Sequence, residues 1–182
     1  MTFYSFVLFV HVTAVLALVA ALTFEALSLF HLRRASTLTE VRFWLDLVPN
    51  LPLATIASLL IVFFSGIYLT VRMSAFGEAW PRVSIAALLF VAPIAAITGR
   101  RMRAIRRMCA TVTAINSELW ARLRDPALKV SLGIRIAFVL GIVLLMVAKP
   151  ELWESVAIVG TFLVLGLLSS LLASPRTVAL KS

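Results

Sequence analysis

Cysteine is nearly absent: Cys109 is the single one in 182 residues. That excludes an intramolecular disulfide and any zinc or iron–sulfur centre built on cysteine. Histidine is almost as scarce, with His11 and His31 alone. Charge is thin as well, at 14% of residues, against about 25% in a typical globular chain. Acidic groups are the rarer sign, eight against 17 Lys and Arg, for a net charge of +9. Such a chain has too few polar side chains to cover a soluble surface, and it is too hydrophobic for disorder. Strand-like alternation is missing, so an all-helical membrane fold is expected. Also missing are a Walker loop, a dinucleotide fingerprint, an HExxH motif and a nucleophile with a base, so no catalytic residues are assigned and an enzyme is not favoured.

What the chain has is long apolar runs, with 62% hydrophobic residues and mean hydropathy +1.07. Five runs reach the ~20 residues that a helix needs to cross hydrocarbon: about 3–31, 51–72, 82–99, 130–148 and 152–174. The first lacks the basic start and small-residue cleavage site of a secretory leader, so it reads as a span. Proline punctuates the breaks at Pro49, Pro52, Pro81, Pro126, Pro150 and Pro175, while Pro93 falls inside the third run. The whole chain forms one integral membrane domain.

Basic residues are unevenly shared. The segments 32–50 and 100–129, the tail, and Arg135 carry fourteen of them, and the opposite side carries Arg72, Arg82 and Lys149. The positive-inside rule then predicts an outer N-terminus and a cytoplasmic C-terminus. Five spans give that parity. The positive charge is expected to meet anionic lipid headgroups rather than nucleic acid.

Two cytoplasmic pieces are expected to be ordered. Thr37-Leu38-Thr39-Glu40 has the spacing of a capping box and leads into Val41, Trp44, Leu45 and Val48. Between the third and fourth spans, Met102, Ile105, Cys109, Val112, Asn116, Leu119 and Leu123 recur every three or four residues. That predicts an amphipathic helix over 100–124. It either extends the third helix or lies on the headgroups. Arg100, Arg101, Arg103, Arg106 and Arg107 make it a lipid- or partner-facing basic element.

Ionisable groups within the spans are costly and mark function or pairing. His11 could ligate haem iron or copper or relay a proton; alternatively it hydrogen-bonds Ser65 or Tyr68. Glu25 lies fourteen residues further on, within about 40° of the same face and ~21 Å away. Arg135 should reach a similar depth, which predicts an intramembrane Glu25–Arg135 pair. Gly133, Ala137 and Gly141 form a small-residue stripe about 160° from Arg135; if that stripe faces the bundle, Arg135 would snorkel to the headgroups. His11 and His31 are ~30 Å apart on one helix, so both cannot ligate one haem.

The first span, with Phe9-Val10-His11-Val12 and Leu29-Phe30-His31-Leu32-Arg33, resembles the opening helix of a bacterial superfamily of small integral membrane proteins. That superfamily includes copper resistance D-type proteins, HemJ-type protoporphyrinogen oxidases and members of unknown function. Ser65-Gly66-Ile67-Tyr68-Leu69, Trp80 and Gly99-Arg100 are similar too, so the resemblance covers residues 1–101. It implies the fold, a bacterial inner-membrane location, and haem b or copper as cofactor at His11. Ser84, with Arg82 nearby, stands where the HemJ type has a lysine, and Ala17 to Ala21 replace its tryptophan–glycine pattern. These departures point to the branch of unknown function. Three functions are therefore expected: a non-catalytic membrane protein packing with a complex or as a homo-oligomer, a haem- or copper-binding redox protein, and a small transporter or proton path through His11 and Glu25.

Overall fold

A computed structural model describes residues 2–47 and 50–172; Val48, Pro49, the last two residues of the fifth expected span, and the tail with Pro175, Arg176 and Lys181 lie outside the described residues. The described residues form seven α-helices and one short 3-10 turn, with no strand. These are α1 (Phe3–Leu32), α2 (Leu38–Leu47), α3 (Leu51–Arg72), α4 (Ala79–Thr111), α5 (Ser117–Leu123), α6 (Pro126–Ala148) and α7 (Leu152–Leu172). Five helices are long and apolar enough to cross a membrane.

Local chemistry sets the helix ends. Thr2 accepts from the Ser5 amide at the start of α1. Asp125 accepts from the Ala127 amide, and Pro126 supplies the first residue of α6, where its missing N–H is harmless. Lys149, in the left-handed region at φ 48°, ends α6 ahead of Pro150. Pro93 leaves α4 continuous. The Thr37–Glu40 capping box forms: the Glu40 amide donates to Thr37 Oγ1 at 3.2 Å, and Glu40 Oε2 accepts from the Ser36 and Thr37 amides at 2.8 and 3.3 Å.

α1 packs on α3, α3 on α4, α4 on α6 and α6 on α7, while α1 also meets α6. α6 therefore stands between neighbours on two sides. Its small stripe faces α7. A Cβ on Gly133 would sit 2.8 Å from the Gly166 carbonyl oxygen, and one on Gly166 would sit 2.6 Å from Ala137 Cβ. Helices can approach this closely only where side chains are absent, and in lipid such contact replaces the hydrophobic drive. On α1, Ala21 is buried but Ala17 is exposed; the inward face runs His11, Ala14, Leu18, Ala21, Leu22, Glu25, Ser28.

The 100–124 segment departs from a single amphipathic helix. α4 runs from the third span through Thr111, Val112 turns extended, and a separate α5 begins at Ser117. The reason is capping. Asn116 accepts from the Leu119 amide at 2.8 Å, which starts a new helix. Arg42 of α2 donates through Nε and Nη2 to the Cys109 carbonyl at 3.2 and 3.0 Å, and through Nη2 to the Val112 carbonyl at 2.9 Å. A cation on those last carbonyls suits the negative end of the α4 dipole. Ile105, Cys109, Leu119 and Leu123 do not lie outward; they pack with Leu32, Val41, Leu45 and Leu128 in one buried cluster.

Arg42→Ala should lower stability by about 1 kcal/mol, below the usual value for charged hydrogen bonds because the side chain is exposed. Thermal unfolding in detergent checks this, together with faster proteolysis at 112–116 than in the wild-type protein.

Candidate functional site: two polar stations on the first helix

The inward face of α1 carries two polar groups separated by apolar residues. The outer one is His11. Its Nδ1 lies 2.9 Å from Ser65 Oγ on α3, and the Ser65 hydroxyl is directed at the Ile61 carbonyl. A hydroxyl has one hydrogen to give. With that hydrogen on Ile61, Nδ1 carries the proton and donates to Ser65, leaving Nε2 an acceptor. The approach is possible because residue 66 is glycine: a Cβ there would sit 3.3 Å from His11 Cε1. Tyr68 takes no part, since its ring packs edge-on against Phe3 at 5.4 Å.

His11 also lines an apolar cleft of about 320 Å³ with Val15, Val62, Leu88, Ile142 and Met146. Imidazole plus thioether is a donor set that haem iron or copper accepts. Among the described residues, no three His, Cys, Asp or Glu side chains form a metal-holding group.

The inner station is the Glu25–Arg135 pair. Arg135 Nη1 donates to Glu25 Oε2 at 2.8 Å, and Nη2 donates to Oε1. Arg135 Nε donates to the Ser131 carbonyl at 3.3 Å. Arg135 is 3% exposed and Glu25 8%. At that burial each charge costs several kcal/mol to remove from water, and a two-pronged guanidinium–carboxylate contact is the geometry that offsets it. Arg135 does not snorkel. It reaches α1 while the small stripe on the opposite side of α6 meets α7. Nearby, Thr98 of α4 and Ser131 of α6 share a hydroxyl–hydroxyl hydrogen bond.

Ala14, Leu18, Ala21 and Leu22 fill the α1 face between the two stations. His31 takes part in neither; its ring stacks on Trp44 at 4.0 Å and joins α1 to α2. The five arginines at 100–107 do not present one surface. Arg101 pairs with Asp125, Arg106 donates to the Leu45 carbonyl, and Arg100, Arg103 and Arg107 line an open groove. Beside them, Arg33 donates to the Asp125 carbonyl at 3.2 Å; burial and then the charge of Arg124 push its guanidinium below the usual range, opposed by Asp125. Contacts beyond the reach of sequence reasoning include Arg42 on the α4 terminus, His31 on Trp44, and Arg106 on Leu45. All join residues far apart in the chain.

Comparison with family models, curated proteins and solved structures finds no match for this chain.

Glu25→Leu and Arg135→Leu should each destabilise the protein by about 3–5 kcal/mol, because each strands a buried charge. The double variant should cost less than either single change. Denaturant unfolding of all four proteins in one detergent measures the coupling, and additive losses would show the pair to be energetically silent.

Proposed function

We propose that this chain is a non-catalytic, multi-pass protein of the bacterial inner membrane that packs with a partner complex or a second copy of itself. One observation carries the reading. The polar groups of the α1 face that could do chemistry are engaged within the chain, His11 by Ser65 and Glu25 by Arg135. Apolar side chains separate them on that face, which disfavours a proton path along it. The N-terminus is placed outside and the C-terminus inside, supported by the uneven sharing of basic residues over five spans. Kinship with the copper resistance D-type and HemJ-type superfamily belongs to this proposal and rests on His11, His31 and the Ser65-Gly66-Ile67-Tyr68 stretch.

A second reading, haem or copper at His11, is favoured by Met146 in the same cleft and by the acceptor nitrogen left on the imidazole. A metal-dependent absorbance band lost in His11→Ala would support it, and a colourless, metal-free preparation would remove it.

Orientation is tested in a Cys109→Ser background with Ser36→Cys or Gly77→Cys. An impermeant maleimide added to intact spheroplasts should label position 77 and leave position 36 unlabelled; the reverse pattern overturns the placement. In proteoliposomes, proton flux should match empty vesicles, and flux abolished by Glu25→Gln would replace the non-catalytic reading with a transport one.

A further inference from the structure

A cavity of about 70 Å³ sits beside the Glu25–Arg135 pair. That is several times the ~10–15 Å³ that one water needs. Its walls come from five helices: α1, α2, α3, α4 and α6. Among the described residues, four ionisable side chains line it, Glu25, Arg103, Arg106 and Arg135, and Arg106 is engaged by the Leu45 carbonyl. Glu25 is already spent on Arg135. The Arg103 guanidinium is thus left without a paired negative charge among the described residues.

Three further observations point to what would supply it. Ser28, 6% exposed, lines the cavity one turn beyond Glu25, and its hydroxyl has no hydrogen-bond partner among the described residues. Arg103, an exposed residue shared with the outer groove, also lines the cavity, and among the described residues it has no ion-pair or hydrogen-bond partner. The N-terminal end of α3, through Leu51 and Pro52, borders the same space, and Asn50 makes no side-chain cap bond there. A helix N-terminus carries partial positive charge and is suited to anions. A buried hydroxyl donor, a guanidinium fork and a helix N-terminus together match a tetrahedral oxyanion.

We propose that this cavity binds a phosphate group, held by the Arg103 guanidinium and the Ser28 hydroxyl, with the Glu25–Arg135 pair closing its inner end. The site goes beyond the function proposed above, which assigns no ligand to this cavity, and it stands whichever way the bundle faces. The phosphate could belong to a lipid headgroup or to a free solute. Leu45, Ile56 and Met102 on the walls suit the carbon of a glycerolipid beside its phosphate.

The full chain, purified in a phosphate-free maltoside detergent, tests this by thermal shift. The probes are inorganic phosphate against chloride at matched ionic strength, and dioleoyl phosphatidylglycerol against dioleoylglycerol. Stabilisation by phosphate identifies a free-solute site, stabilisation by phosphatidylglycerol alone a lipid site, and both are binding. Ser28→Ala and Arg103→Ala should each weaken the apparent affinity about tenfold, the scale of a lost charged hydrogen bond. Neither residue has a hydrogen-bond or ion-pair partner to lose among the described residues, so folding is expected to survive. Arg107→Ala, which removes the same charge from the outer groove, should leave the affinity unchanged. No shift with any phosphate probe overturns the proposal. Equal losses in Arg103→Ala and Arg107→Ala also overturn it, because they would reduce the effect to general attraction by a basic surface.

Discussion

A carboxylate and a guanidinium buried at membrane depth are each costly unless paired, and Glu25 and Arg135 meet through two parallel contacts. This pair fixes α1 against α6 in one register and one rotation. With Arg135 committed to α1, the opposite side of α6 is left to meet a neighbour without polar chemistry. It does so through Gly133 and Ala137, which admit the Gly166 backbone of α7, with Gly141 facing the Phe162 side chain. The polar side of α6 and its smooth side are complementary consequences of one helix standing between two others.

Two physical regimes hold the molecule together. Within the apolar spans, burying a leucine gains little, because lipid is as apolar as protein, and the helices depend on close fit and hydrogen bonds. Gly66 beneath the His11 ring and Gly133 against Gly166 are the close-fit positions. At the arginine-rich end, the cluster of Leu32, Val41, Leu45, Ile105, Leu119 and Leu128 is built as in a soluble protein. Burial of such a side chain from water stabilises by about 1.5–3 kcal/mol. Arginines there serve the fold as well as the surface: Arg42 and Arg106 donate to carbonyls at the ends of α4 and α2. Basic charge that could be read as wholly lipid-facing is in part terminal capping.

The five spans were readable because hydrophobic length is a property of consecutive residues, and proline marks the ends locally. The capping box at Thr37–Glu40 was readable for the same reason, since its partners are three residues apart. The meeting of Glu25 and Arg135 could be anticipated from matched depth, but the angular conflict with the small stripe could not be resolved along the chain. It required the knowledge that α6 has neighbours on both sides. Spacing alone overextends the basic helix, because Asn116 fits a helical stripe yet its side chain caps the helix that follows.

Composition and periodicity alone determined an all-helical chain with five membrane-length helices and the short set of buried ionisable residues worth watching, since both follow from hydration and repeat length. Tertiary structure decided which side chains meet, His11 with Ser65 and Arg42 with the end of α4, and which share a cavity wall, as Ser28 and Arg103 do. Those pairings depend on how helices rotate and pack against one another, and no spacing within a single helix encodes that.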